Sequence, residues 1–367
     1  MGNGQPSIVP KTSSGGKSMH VIIKLAENGL LPDLLIRSGI RLRHARVLKG
    51  LSTADVSLDL EQKKSFIREM DSAPIAVVPD LANVQHYEVP PGFFKLMLGP
   101  AMKYSCCLFE QKSGAENDLA AAEEAMLELV ARRAGLENGM NILDLGCGWG
   151  SLSLWLAQKH PDSKITAVSN AQNQVDYINR RAAEGALPHL QARRADMNDF
   201  HPQALFDRIV SVEMFEHMRN WRSLLRSISA WLTPSGALFV HVFAHEKYAY
   251  FFNQGPGDWM GRNFFSGGMM PSDDLIFYFQ DQLSLRRHWR INGQHYARTL
   301  KAWLKHLDGN SQEALEVLES ALPNDSRDSG RVMLQRWRIF LMACAELFAW
   351  NRGNSWFVSH YLLSSAP

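Results

Sequence analysis

The stretch Asp144-Leu-Gly-Cys-Gly-Trp-Gly150 constrains this chain more than any other. An acid followed by three alternating glycines, at the end of the mostly apolar run 140–145, is the pattern of a tight strand-to-helix turn. Gly146, Gly148 and Gly150 have no side chains to hold a ligand off the backbone, and an amphipathic helix follows through Leu152, Leu154, Trp155 and Leu156. A dinucleotide site needs open N–H groups for a pyrophosphate, and an acid two residues before the first glycine does not serve that need. The acid suits a ligand with a cationic amino-acid tail, and S-adenosylmethionine is the common nucleoside of that kind. An ordinary glycine-rich turn of an α/β protein carries the same glycines, so the surrounding chain has to separate the two.

At 367 residues and 46% hydrophobic, the chain can bury a large core, as one big domain with a helical appendage or as two smaller units. Lys and Arg number 39 against 37 Asp and Glu, a balance with no electrostatic footprint for nucleic acid. The apolar runs are too short and interrupted for a bilayer span, so no stable membrane association is expected, and residues 1–18 lack a signal-peptide core. A myristoylation reading of Met1-Gly2 fails at Pro6, where Ser or Thr is wanted. Cys106, Cys107, Cys147 and Cys344 are too scattered for a disulfide framework, and the adjacent pair does not make a metal pair. A cytoplasmic protein without a bound metal is expected.

Residues 1–18 are rich in Gly, Ser and Pro and read as a disordered tail. Helical periodicity over 19–70 predicts a helical N-terminal cap, taken to residue 100, and a long helix over 115–134 leads into the glycine turn. Strands are expected at 141–145, 164–169, 189–194, 208–212 and 237–243, with helices ending at 159, over 172–184 and over 221–232. That alternation implies an α/β, Rossmann-like doubly wound sheet over 101–245 with ligand at the strand C-terminal ends. Residues 246–367 then read as a substrate-binding cap that also completes the core: an aromatic-rich insertion over 248–279, a strand over 283–289, and helices over 299–308, 311–321 and 330–348. The N-terminal helices either cap the pocket or pair with a second subunit as a homodimer.

Where the second strand ends, Asn170 and Gln174 can hydrogen-bond ribose hydroxyls in place of the usual acid, and Asp196-Met197 after the third strand can hydrogen-bond and pack an adenine. Both pairs also suit plain loop and capping chemistry. The decisive cluster is Glu213-Met-Phe-Glu-His-Met218 at the end of the fourth strand. If the chain turns helical there, Glu213, Glu216 and His217 share one face, and two carboxylates with an imidazole are costly to bury without a purpose. They can hold a cation, and the same residues also suit an acidic helix start. As metal ligands they are weak, because no fourth ligand stands nearby in sequence. The aromatics Trp259, Phe264, Phe265, Phe279, Trp337, Phe340 and Phe348 have the spacing of a core and the density for an apolar lid.

Tyr104-Ser-Cys-Cys, the glycine turn, Phe206-Asp-Arg-Ile-Val-Ser and Met214-Phe-Glu-His, in that order, resemble the S-adenosylmethionine-dependent cyclopropane fatty acid synthase superfamily over roughly residues 80–365. Within it, Glu213–His217, Trp337-Arg-Ile-Phe340, Ala345-Glu-Leu-Phe348 and the stretch 288–308 resemble the plant alkaloid N-methyltransferases of the coclaurine type. The resemblance implies a class I methyltransferase fold, S-adenosylmethionine as cofactor with S-adenosylhomocysteine as product, and Tyr104, Ser105, Asp144, Gly146 and Gly148 in its site. Lipid-modifying members hold a bicarbonate with Cys, Glu, His, an Ile carbonyl and a Tyr; this chain is similar at Cys106, Glu216 and His241, but has Phe243 and Phe340 at the last two positions. A phenyl ring cannot replace the phenol's hydrogen bond, and Glu213 stands where those enzymes have Gly.

An acid there faces an ammonium better than a fatty chain. An aromatic alkaloid-type amine, a tetrahydroisoquinoline or a phenylalkylamine, is therefore the expected small-molecule substrate, and a lipid alkyltransferase the alternative. Glu213 and Glu216 are expected to orient the ammonium and His217 to take or relay its proton, with Trp337, Phe340, Phe264 and Phe265 as walls and Tyr87-Glu88 at the mouth.

Overall fold

Asp55 and Asp118 each start a helix by accepting hydrogen bonds from first-turn N–H groups, those of Ser57 and Leu58 in one case and of Ala120 and Ala121 in the other. The computed structural model describes residues 16–77, 89–110, 118–252, 258–322 and 328–365, with side chains from residue 20. The expected tail lies outside the described residues up to residue 15, as do Tyr87 and Glu88. Five described helices precede the sheet: α1 (Gly16–Glu27), α2 (Asp33–Leu51), α3 (Val56–Ser72), α4 (Pro91–Met97) and α5 (Leu119–Ala134).

From Asn141 the chain alternates: β1 (Asn141–Leu145), α6 (Ser151–Lys159), β2 (Lys164–Ser169), α7 (Gln172–Glu184), β3 (Leu190–Arg194), β4 (Phe206–Val212), α8 (Trp221–Trp231) and β5 (Leu232–His245). These five strands are parallel neighbours in the order β3-β2-β1-β4-β5. The order reverses between β1 and β4, and that switch point is where an open α/β sheet leaves a crevice at its strand C-terminal ends. The fold is the expected Rossmann-like, doubly wound class I methyltransferase sheet.

Past residue 245 come a two-stranded ribbon of β6 (Tyr250–Phe251) and β7 (Met269–Met270), with the short helix α9 (Trp259–Asn263) between them. β8 (Ser284–Ile291), α10 (Gly293–Gly309), α11 (Ser311–Ala321), α12 (Gly330–Ala349) and β9 (Trp356–Ser364) follow. The sequence reading did not foresee β9. It inserts between β5 and β8, antiparallel to both, and extends the parallel sheet to seven strands. Nor is α10 confined to 299–308: it starts at Gly293, because the Asn292 side chain accepts a hydrogen bond from Gln294 N at 2.8 Å and caps it early.

The N-terminal helices are held to α12 by ion pairs across their faces: Arg37 to Glu346 (2.8 Å), Arg336 to Glu27 (3.0 Å) and Arg338 to Asp33 (2.8 Å). α3 docks elsewhere, with Phe66 stacked on Phe251 at 4.2 Å and Asn220 donating to the carbonyls of Asp71 and Ala73. The strand-like stretch after α3 then bridges Ala76 to Met218, which brings the N-terminal region to the crevice. No described helix is long and apolar enough to cross a membrane.

Gly293 joins α10 to the sheet at van der Waals closeness. A methyl group there would lie 2.1 Å from the Trp356 carbonyl oxygen and 2.5 Å from that of Phe348, and neither backbone can swing away. Gly293→Ala is expected to cost about 2–3 kcal/mol of stability, read as a lower midpoint in urea unfolding.

Candidate active site

The glycine turn forms one wall of a crevice at the sheet's switch point. Gly146, Gly148 and Gly150 have φ of +83°, +53° and +77°, values that L side chains resist. The N–H groups of Gly146 and Cys147 both donate to the Val168 carbonyl at 2.9 Å, so the turn is tied to the end of β2. Asp144 lies buried beneath it; burial raises its carboxyl to about 6, against hydrogen bonds donated by Ser153 Oγ at 2.6 Å and by the Ser153 N–H. A carboxylate so poorly compensated gains from a cation brought beside it.

All nine residues expected around the cofactor line this one cavity of about 1250 Å³, part of it open to solvent: Tyr104, Ser105, Asp144, Gly146, Gly148, Asn170, Gln174, Asp196 and Met197. Gln174 Oε1 accepts from Ser169 Oγ at 2.6 Å, while its buried Nε2 has no hydrogen-bond partner. An orphaned donor in the wall of a largely apolar cavity fits a ligand that brings an acceptor, such as a ribose hydroxyl or an adenine nitrogen. The buried acid and this amide thus offer the cavity one place for a cationic group and one for a hydrogen-bond acceptor.

Tyr104 and Ser105 are placed by Glu123 on α5, whose buried carboxylate accepts from the N–H groups of Ala101 (2.9 Å) and Lys103 (3.2 Å). The same segment carries a residue that sequence reasoning missed. Lys103 is 1% exposed, donates to Ser105 Oγ (2.5 Å) and the Cys106 carbonyl (2.8 Å), and lines the cavity. Its neighbour Cys106 keeps its proton, because burial and the charge of Glu213 push the thiol well above its ordinary value.

At the end of β4 the chain does not become α-helical as the i, i+3, i+4 reading required. Glu213 sits at φ +50°, a conformation costing roughly 1–2 kcal/mol for a residue with a side chain, and Phe215–His217 form a single 3₁₀ turn. Glu213, Glu216 and His217 consequently do not share one helical face. Glu213 and His217 line the crevice; Glu216, 1% exposed, does not, and its Oε2 has no hydrogen-bond partner.

The two carboxylates have opposite surroundings. Glu213 accepts from Cys106 N (2.9 Å), contacts His241 Nε2 (3.1 Å) and receives a short hydrogen bond from the Tyr296 hydroxyl. Burial raises its pKa, while the Lys103 charge and these donors resist the rise. Glu216 lacks such donors, and burial followed by the charge of Glu213 raises it well above the carboxylate range. Of the pair, Glu216 holds the proton and Glu213 the charge. His217 is driven by burial down to about 4, against the pull of Glu213, and is neutral at pH 7.

His217 also begins an aromatic wall. Its ring stacks on Phe265 (5.9 Å, 13° between planes), Phe265 touches Phe340 (6.0 Å), and Phe340 stacks on Phe264 (4.4 Å). Phe264 meets Trp337 edge to face at 5.2 Å, and Trp337 lies 6.5 Å from Tyr104. The four expected aromatics thus form one band from His217 back to the cofactor crevice, although none lines that crevice itself. Tyr296 and Lys103 lacked any local signal, since their importance comes from burial against residues far along the chain. Among the described residues no group of three or more His, Cys, Asp or Glu is placed to hold a metal ion.

The chain matches the Mycolic acid cyclopropane synthetase family over residues 78–357. It is 35% identical to (S)-coclaurine N-methyltransferase of Thalictrum flavum subsp. glaucum over 344 residues, 93% of this chain and 94% of that one. The crystal structure of coclaurine N-methyltransferase bound to N-methylheliamine and SAH superposes with a TM-score of 0.90 at 33% identity, covering 95% of this chain and 100% of that one. The cyclopropane synthase MmaA2 from Mycobacterium tuberculosis is more distant, with a TM-score of 0.64 at 25% identity over 78% of this chain and 99% of its own. With the crevice, its acid and this likeness together, the chain belongs to the mycolic acid cyclopropane synthetase family and, within it, to the S-adenosylmethionine-dependent N-methyltransferases.

Proposed function

We propose that this chain methylates the nitrogen of an aromatic alkaloid-type amine, a tetrahydroisoquinoline or phenylalkylamine, and that Glu213, Glu216 and His217 manage the ammonium's charge and proton. Glu216 carries the proposal. A buried carboxyl with an unpartnered oxygen, beside a second carboxylate, keeps its proton and has no positive charge to ionise against. An ammonium supplies that charge, and the aromatic band beside His217 supplies a surface for its ring system. A fatty chain supplies nothing for Glu213 or Glu216.

S-adenosylmethionine, when bound, supplies an electrophilic methyl group on a sulfonium. Asp144 would face its amino-acid end, Asn170 and Gln174 its ribose, Met197 and Asp196 its adenine, and Tyr104, Ser105 and the glycine turn the space between. An aliphatic amine of pKa near ~10.4 is nucleophilic in only roughly one molecule per few thousand at neutral pH, so the pocket has to remove a proton. The protein's own groups offer that proton no easy destination, with His217 depressed to about 4. A bound ammonium changes this by drawing Glu216 into its ionised form, the carboxyl's proton being released to solvent as the amine enters. Moving the proton from nitrogen to His217 then exchanges ammonium for imidazolium in a pocket holding two carboxylates, and the net charge is unchanged. With the lone pair freed, Glu213 and His217 would hold the nitrogen toward the crevice, where the sulfonium would give up its methyl group and leave as the neutral thioether.

Purified protein offered labelled S-adenosylmethionine with phenylethylamines, tetrahydroisoquinolines and unsaturated phospholipid vesicles is expected to methylate an amine and leave the lipid unchanged by mass spectrometry. A lipid that gains a methylene while every amine stays unmodified would overturn the proposal.

Glu216→Gln and His217→Ala are each expected to lower kcat by about 10²–10⁴-fold with little change in affinity for S-adenosylmethionine, measured by calorimetry.

Glu216→Gln should also change stability with pH. The folded state holds its Glu216 proton above the unfolded value of about 4.5, so wild-type stability from this group is present below that pH and lost as pH rises toward the raised folded value. The amide has no such loss. The variant is expected to melt higher than wild type at about pH 8, and the difference should shrink toward about pH 4.

A further inference from the structure

Glu213 is contacted from the sheet side by a chain of hydrogen bonds that the chemistry above does not use. His241 on β5 and His360 on β9 are directly opposite in the antiparallel register, both fully buried. His241 Nε2 lies 3.1 Å from Glu213 Oε1, and its Nδ1 lies 2.9 Å from His360 Nε2. His360 Nδ1 in turn lies 2.8 Å from Arg133 Nη1 on α5. Arg133 is half-buried, lies outside the cofactor crevice, and has its guanidinium 5.0 Å from the Trp289 ring centroid.

The direction of every bond in this chain follows from its outer end. A guanidinium only donates, so His360 Nδ1 accepts. A neutral imidazole has one donor and one acceptor, so His360 Nε2 carries the hydrogen and donates to His241 Nδ1. The same rule puts the second hydrogen on His241 Nε2, aimed at Glu213. A charged ring at either position would set two N–H groups face to face. Burial, with the nearby charges of Arg133 and Lys103, independently holds both rings far below the ordinary histidine range.

We infer that Arg133, His360 and His241 form a one-way strut that positions Glu213 and keeps it ionised, and that protons do not leave the site along it. This rests on the proposed role of Glu213 toward an ammonium. A relay outward from Glu213 would have to end by protonating Arg133, which is already a cation and accepts no proton. The strut therefore carries polarisation inward, adding a fixed donor to those from the Cys106 N–H and Tyr296. The other groups facing Glu213 are Lys103, His217, Glu216 and the thiols of Cys106 and Cys344. Glu213 is thus an anchored counter-charge, and the proton from the amine is left to His217 and Glu216. Arg133, His360 and His241 are positioning residues.

Nitrogen-15 histidine spectra of the full chain read the strut directly, with the two rings assigned through H241Q and H360Q. Both rings are expected as neutral Nε2–H tautomers from about pH 5 to pH 9. A ring that titrates in that range, or carries its hydrogen on Nδ1, would overturn the inference. Kinetics give the second readout. Arg133→Met is expected to lower kcat about tenfold at unchanged KM for S-adenosylmethionine and to move the acid limb of the pH–rate profile up by about one unit. Arg133→Lys should restore most of both. A Met variant with unaltered kcat and acid limb would sink the strut as a positioning device. If wild type methylates no amine while both rings hold the expected tautomers, the proposed substrate fails and the strut stands.

Discussion

A carboxylate cannot be buried without donors, and Glu213 is the point at which that rule organises this molecule. Its partners come from the segment before α5 through Cys106, from β5 through His241 and from α10 through Tyr296, with the charge of Lys103 favouring its ionised form. Those pieces are spread over nearly two hundred positions of sequence, and each is held by its own structure. Glu123 pins the first, the parallel sheet the second, and the close approach at Gly293 the third. The left-handed backbone at Glu213 is what turns its side chain toward all of them.

The asymmetry between Glu213 and Glu216 follows from the same accounting of donors. Three residues apart, one carboxyl is surrounded by N–H and O–H groups and the other has an oxygen with none. Residue type alone would make them equivalent. It is the environment that leaves one as a standing negative charge and the other as a site whose ionisation waits on an incoming cation.

What the sequence made legible was local. The turn from Asp144 to Gly150, the strand-end residues Asn170 and Asp196, and the Glu213–His217 cluster each sit within a few residues of a predicted strand end, so hydrophobic alternation was enough to bring them to one edge of a sheet. Residues whose part depends on packing were not legible. Lys103 belongs to no expected site, Tyr296 falls outside the helix expected over 299–308, and His360 lies past the last element assigned from sequence. The helical face expected for Glu213, Glu216 and His217 failed for a related reason: spacing says where side chains would point in a helix, and the chain spends only a 3₁₀ turn there.

The placement of β9 bears on how the protein is made. On a ribosome the five parallel strands emerge in the order in which they pair, but β8 emerges well before the strand that lies between it and β5. Until residues 356–364 arrive, β5 presents an open, apolar edge at the centre of the future sheet, and β8 has no partner at all. Such an edge is what strand-pairing aggregation and chaperones both recognise. A nascent chain of this kind gains its seven-stranded sheet and its His360 together, so quality control that senses an unpaired β5 edge also senses a Glu213 whose supporting hydrogen bonds are incomplete.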